Sequence, residues 1–413
     1  MSALWTLPFI LMLLAIAVLP LTATHWWERN LNKFWVCLAL GLPVLLYLTI
    51  YFPSGTELLG HTTVEYLSFI ILLASLYVIS GGIFLEGDIR ATPFNNTCFL
   101  LVGSVLASLM GTTGAAMVLI RPLLNTNAER KHVQHTVVYF IFLVANIGGC
   151  LTPIGDPPLF MGYLFGVPFT WTLRFWQPWL WTVGLVLLTY YIFDTLMYRR
   201  EPESALTLDR SEVYRLSLRG QINLVFLAAS VACVAFVTSS PAREILLVLL
   251  SAASLLWTPG TIRRDNAFSW GPIVEVAVLF FGIFLTMIPA IYLLKTDGAT
   301  LGVTEAWQFF WATGLLSGFL DNTPTYVTFF NLAQSLGLEN EIVGMPALLL
   351  EAISLGAVFF GAMTYIGNAP NFMVKTIAEE RKIRMPSFFG FMLYSGAALL
   401  PVFLLNTWLW FTP

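Results

Sequence analysis

Two carboxylates stand inside stretches that are otherwise apolar. Asp156 lies in the run Gly149-Cys150-Leu151-Thr152-Pro153-Ile154-Gly155-Asp156-Pro157-Pro158, and Asp321 opens the run Asp321-Asn322-Thr323-Pro324. A charged side chain at the centre of a bilayer costs at least about 3 kcal/mol, so it is functional by default. Away from water a carboxyl favours its neutral form, and a bound cation favours the ionised form. One such group therefore holds a proton or a cation, but not both. That competition is the minimal machinery of cation/proton exchange, with Asp156 as the shared carboxylate and Asp321 as a second or gating one. Neutral oxygens for a hard ion such as Na⁺ come from Thr112, Thr113, Asn146, Thr152, Asn322, Thr323, Thr364 and Asn368, with Gly155 and Gly367 beside them. The plainer role for either acid is to cap the half-helix that follows it. The two roles are compatible.

The composition demands a membrane. Of 413 residues 58% are hydrophobic and 10% are charged, against about 25% charged in a soluble domain. Aromatics are 15% and the mean hydropathy is +0.79. These values exclude a soluble enzyme, a disordered chain and a nucleic-acid binder. The net charge of −3 says little about partners. Cys37, Cys98, Cys150 and Cys233 lie in apolar runs without metal-ligand spacing, and read as small buried hydrophobes. No HExxH motif or Cys/His cluster points to an enzyme or a cofactor.

Spanning helices need about 20 apolar residues. Ten segments qualify: about 4–21, 34–52, 66–86, 135–165, 171–198, 219–238, 243–259, 272–294, 345–375 and 388–411. The first has no basic region before it and reads as a retained span, not a cleaved signal. Two more stretches, about 94–124 and 303–333, break in the middle, at Gly111-Thr112-Thr113-Gly114 and at Asp321-Asn322-Thr323-Pro324. Treated as re-entrant hairpins, they put all but Arg174, Arg243 and Lys295 of the 20 Lys and Arg on one side. The positive-inside rule makes that side the cytoplasm. Both termini are then outside.

The chain also repeats itself. Gly149-x-x-Thr152-x-Ile154-Gly155-Asp156-x-Pro158 matches Gly361-x-x-Thr364-x-Ile366-Gly367-Asn368-x-Pro370, offset by 212 residues. Thr113 matches Thr323, offset by 210, and Gly82-Ile83-Phe84-Leu85 matches Gly282-Ile283-Phe284-Leu285, offset by 200. Such order implies a duplication. The fold expected is an all-α polytopic membrane protein of two inverted five-helix repeats, residues 1–198 and 219–413, joined by a cytoplasmic linker at 199–218. Each repeat carries one re-entrant hairpin (about 94–124 and 303–333) and one broken transmembrane helix (about 135–165 and 345–375). Asp194, near Arg199 and Arg200, is expected at the interface. Trp171, Trp176, Trp179, Trp181, Trp408 and Trp410 are expected to form aromatic belts.

Asn146-Ile-Gly-Gly149 followed by Thr152-Pro-Ile-Gly-Asp156 resembles the fourth-span signature of NhaD-type sodium/proton antiporters, and Asp321-Asn322-Thr323-Pro324 resembles their Asp-Asn-x-Pro element. That group belongs to the ion transporter superfamily, with citrate carriers, arsenite exporters and divalent anion/sodium symporters. The resemblance covers about residue 66 to the end. It implies Na⁺ or Li⁺ exchanged for protons in the bacterial inner membrane, by a homodimer that moves its hairpin-bearing part. Carboxylate symporters of the superfamily carry Ser-Asn-Thr at both hairpin tips. This chain has Gly111-Thr112-Thr113 at the first, without the Asn, and an added acid at the second, and both differences disfavour a dicarboxylate substrate. Pro157-Pro158 departs from the antiporter pattern and keeps a cation-coupled carrier of citrate or another carboxylate as the alternative.

Overall fold

The computed structural model describes residues 1–211 and 213–412. The helices follow the apolar runs. In the first half they are α1 (Leu7–Thr22), α2 (Thr24–Trp27), α3 (Asn30–Tyr51), α4 (Gly55–Ser80), α5 (Pro93–Met110), α6 (Thr112–Thr126), α7 (Gln134–Leu143), α8 (Pro157–Leu164) and α9 (Trp176–Tyr198). After α10 (Glu203–Ser211) come α11 (Ile222–Phe236), α12 (Ala242–Trp257), α13 (Gly260–Asp265) and α14 (Gly271–Asp297). The chain ends with α15 (Ala306–Ser317), α16 (Asn322–Ser335), α17 (Ala347–Phe360), α18 (Ala369–Glu380) and α19 (Phe388–Asn406). Among the described residues, eight helical segments are long and apolar enough to cross a membrane. The protein is thus an all-α polytopic membrane protein.

Several boundaries differ from the sequence expectation. The third span begins at Gly55, not near 66. Glu57, His61 and Glu65 give that stretch a loop-like polarity, but His61 and Glu65 pair at i,i+4, 3.5 Å apart, and no proline interrupts it. The span also ends earlier, at Ser80, so Gly82-Ile83-Phe84-Leu85 leads into a strand, β1 (Phe84–Asp88). Its supposed counterpart Gly282-Ile283-Phe284-Leu285 lies inside α14. That four-residue match is therefore not a structural one. Residues 199–218 are more than a linker. They hold α10 and most of β2 (Tyr214–Arg219), which pairs antiparallel with β1. Gly87, at φ +132, takes up the bulge between Glu86 and Asp88. Cys98 is exposed, while the other three cysteines are buried.

Hydrogen bonds gather the basic loops on one face. The Glu201 carboxylate accepts from the backbone N–H of Lys131 and His132, and Gln134 donates to the Arg384 carbonyl. Asp209 accepts from Ala91 N–H, Arg219 pairs with Asp265, and Arg263 donates to Val78 O. The α5/α6 pair starts and ends on this face. There Asn96 and Asn127 exchange hydrogen bonds of 2.9 and 3.0 Å.

Asp194 is not interfacial. It is fully buried, gripped by Arg130 Nη2 at 2.6 Å and by His135 Nε2 at 2.7 Å. The partners come from the turn after α6 and from α7, so this network fastens the foot of the α5/α6 pair to α9. Of the tryptophans expected in belts, Trp176, Trp181 and Trp408 are exposed as such a role requires, whereas Trp179 is buried.

Candidate transport site

Both hairpin tips and both helix breaks meet at Asp156. The first tip turns at Gly111, whose φ of +80 suits a residue without Cβ. Thr112 follows as the first residue of α6. Its backbone N–H donates to Gly155 O at 2.8 Å, and its hydroxyl donates to Asp156 Oδ1, also at 2.8 Å. The second tip turns at Asp321. Asn322, the first residue of α16, donates its side-chain amide to Asp156 Oδ2. Asn368, at the second break, donates to Asp156 Oδ1 and to Ala145 O, both at 3.1 Å. Asp156, Thr112, Asn322 and Asn368 are all buried.

The breaks have local causes. After α7 the chain passes through a 3₁₀ turn (Ile147–Leu151) and an extended Thr152 before α8 opens on Pro157-Pro158. Proline is at home in the first helical turn, where its missing N–H has no intrahelical partner to lose. The second break repeats this with Gly361–Met363, Thr364 and α18, which carries Pro370 in its first turn. Thr152 donates its hydroxyl to Ser108 O and Thr364 to Gly318 O, so each break is pinned to its own hairpin. Ser108 returns a hydrogen bond to Gly148 O, and Ser317 one to Ala357 O.

These crossings are close. A Cβ on Gly155 would stand 2.1 Å from Gly149 O, and one on Gly367 would stand 2.6 Å from Gly361 O. Both clashes are with backbone and cannot be relieved by a rotamer. Gly155→Ala is therefore expected to cost at least about 3 kcal/mol, at the upper end of overpacking penalties, and Gly367→Ala less. Melting in detergent checks this: Gly155→Ala should melt lowest, and equal melting of the two variants would contradict it.

Asn146 lies at the first break and donates to Ile141 O and to Asn371 Oδ1, each at 2.7 Å. Its own Oδ1 has no hydrogen-bond partner, and neither has Asn322 Oδ1. Buried acceptors without a donor are rare, and one explanation is an ion site. Asp321 is half-buried and caps α16, accepting from Thr323 N–H at 3.0 Å. It bonds neither Asp156 nor Asp156's partners. Thr113 is half-buried, and its hydroxyl joins none of these contacts.

Sequence reasoning missed Asn371, which donates to Gly361 O at 2.8 Å and Thr364 O at 2.9 Å and so closes the second break. Its counterpart in the first motif is Leu159, so the repeat hid it. A third amide one turn beyond Asn368 was the available signal. Ser108 and Ser317 were missed as well, although their 209-residue offset sits near the offset of the hairpin tips.

The electrostatics follow from geometry. Helices α6, α8, α16 and α18 all begin at this centre. Each N-terminus carries about +0.5 elementary charge, about +2 for the four. Asp156 and Asp321 supply −2 when both are ionised. No Lys, Arg or His side chain among the described residues forms an ion pair with either acid.

Helices of spanning length, broken around a buried carboxylate, are the architecture of a multi-pass membrane transporter. The chain matches, over residues 1–411, the family described as "Putative citrate transport", and it belongs to that family. This makes it a member of the ion transporter superfamily. It is also 25% identical over 320 residues to an uncharacterized transporter of Mycobacterium bovis and, at the same identity, to one of Mycobacterium tuberculosis. Each alignment covers 70% of this chain and 71% of the relative.

Proposed function

We propose that this protein is a cation-coupled carrier of citrate or a similar small carboxylate, with Asp156 holding the coupling cation or proton. The observation that carries the reading is the meeting of four helix N-termini at one buried acid. With Asp156 and Asp321 ionised, the four dipoles are already balanced. A substrate carboxylate adds negative charge that nothing on the protein offsets. A cation must enter with it, and that requirement couples the two fluxes in one direction. The unpartnered oxygens of Asn146 and Asn322 suit such a cation, and the N-termini of α6 and α16 suit the carboxylate. Belonging to a citrate-transport family supports the same substrate class.

On this reading residues 1–198 and 219–413 are inverted repeats, and the protein works as a homodimer in a bacterial inner membrane with its basic face inside. A second reading, Na⁺ or Li⁺/proton antiport, is favoured by the wholly neutral set of groups bonded to Asp156. Proteoliposomes separate the two. Labelled citrate should accumulate under an inward Na⁺, Mg²⁺ or proton gradient and stay at equilibrium without one. No citrate uptake, together with collapse of a pH gradient on adding Na⁺ or Li⁺, would replace the first reading with the second.

A further inference from the structure

A cavity of about 640 Å³ opens on the basic face, well away from Asp156. One wall is the turn between α6 and α7, and the other is the loop between α18 and α19, with the end of α9 as its floor. Lys131 and His132 line it from the first wall, and Arg381, Lys382 and Arg384 from the second. No Asp or Glu lines it. Among the described residues none of these five side chains is in an ion pair. Glu129, Glu379 and Glu380 flank the walls in sequence but do not line the cavity. Glu201 accepts from the N–H groups of Lys131 and His132, and Asp194 holds Arg130 and His135.

The positive-inside rule explains basic loops. It does not explain why four permanent positive charges converge on one concave surface with no acid among them. Their mutual repulsion is unfavourable until an anion occupies the space. The walls are held in place from below. Gln134 donates to Arg384 O at 2.6 Å and accepts from the Tyr394 hydroxyl at 3.4 Å. Lys382 sits at φ +65, with its N–H bonded to Glu379 O. The floor is apolar, formed by Phe193 and Met197. Leu188, Ile192 and Leu196 continue along α9 as exposed apolar side chains.

We propose that this cavity binds the phosphate headgroup of an anionic lipid, with the acyl chains lying along α9. A basic pocket beside an exposed apolar helix face matches both ends of such a molecule. A free phosphate or a free carboxylate would use only the charged half. Asn127 also lines the cavity and bonds Asn96 at the foot of the hairpin. Occupancy would therefore steady the pair α5/α6, whose other end presents Thr112 to Asp156. The inference does not depend on which substrate is carried.

The test is lipid binding to the purified full-length protein, read by melting temperature and by native mass spectrometry. Phosphatidylglycerol and cardiolipin should raise the melting temperature by several degrees, phosphatidylcholine should not, and the gain should shrink with salt. Arg381→Gln/Lys382→Gln/Arg384→Gln should weaken binding at least tenfold, and so should Lys131→Gln/His132→Gln on the opposite wall. Arg199→Gln/Arg200→Gln/Arg210→Gln removes as much charge outside the cavity and should leave binding unchanged. The proposal is overturned if the three sets bind alike, or if phosphatidylcholine matches the anionic lipids. It is also overturned if millimolar inorganic phosphate reproduces the whole stabilisation in the wild type and loses it in the cavity variants, since a free anion would then be the occupant.

Discussion

Asp156→Asn is expected to abolish coupled uptake, by at least a hundredfold, in a protein that still folds. The two halves of that statement have separate causes. The amide is the same size as the carboxylate, and its carbonyl oxygen still accepts from Thr112 and Asn368. The new amide nitrogen faces Asn322, which donates to that position in the native protein. Asn322 has an unused oxygen, so turning its amide over restores a hydrogen bond. The structural cost is therefore about 1 kcal/mol, one ordinary hydrogen bond or less. The charge, however, is gone, and with it the one ionisable group, among the described residues, bonded to both hairpins. Asp156→Ala differs, because it strands three buried donors at about 1–3 kcal/mol each. The check is initial uptake of labelled citrate under a cation gradient, with melting temperature measured on the same sample. A variant with the native melting point and native cation-dependent uptake would remove Asp156 from the mechanism.

A large loss of stability is expected from Arg130→Ala. Arg130 is buried, donates to both oxygens of Asp194 at 2.6 and 3.2 Å, and donates to Ala91 O. Removing it leaves the Asp194 charge buried, held by His135 and Asn96 but without its permanent positive partner. Breaking one side of a buried pair costs about 3–5 kcal/mol. Because the pair ties α9 to the foot of α5/α6, the damage should spread to the transport site. Fluorescence-detected size exclusion after heating should show Arg130→Ala aggregating well below the wild type. Arg130→Met combined with Asp194→Asn removes both charges and should recover much of the loss. If Arg130→Ala melted with the wild type, the pair would not be a structural clamp.

The legible part of this molecule was what the membrane makes expensive. Asp156 and Asp321 were visible because an apolar run cannot carry an acid without reason. Gly111 and the two Gly-x-x-Thr motifs were visible because a spanning helix does not break without cause. The same logic placed the basic loops on one face. What stayed hidden depends on partners distant in sequence. Asp194 looked interfacial because Arg199 and Arg200 are near it in the chain, whereas its true partners, Arg130 and His135, lie more than fifty residues away. Arg384 and Gln134 meet across 250 residues, so no local pattern announced the cavity between them. The β1/β2 ribbon was missed because Phe84 and Leu85 read equally well as the end of an apolar helix. Four matching residues at 82–85 and 282–285 were too few to outweigh the turn that Gly81-Gly82 makes.

Asp156 and Asn368 occupy the same place in their motifs and hold nearly the same backbone angles, −144/141 and −151/143. They are also bonded to each other. Two identical polypeptides meeting about a symmetry axis have no route to that pairing. Whatever one presents at the axis, the other must present too, so acid would face acid or amide would face amide. If the two halves are the inverted repeats proposed above, joining them in a single chain lifts the constraint, and the positions are free to diverge. One keeps the charge and its mate becomes the donor that steadies it. On that reading, the covalent connection through residues 199–218 is a licence for asymmetry, at this pair as at Leu159 and Asn371.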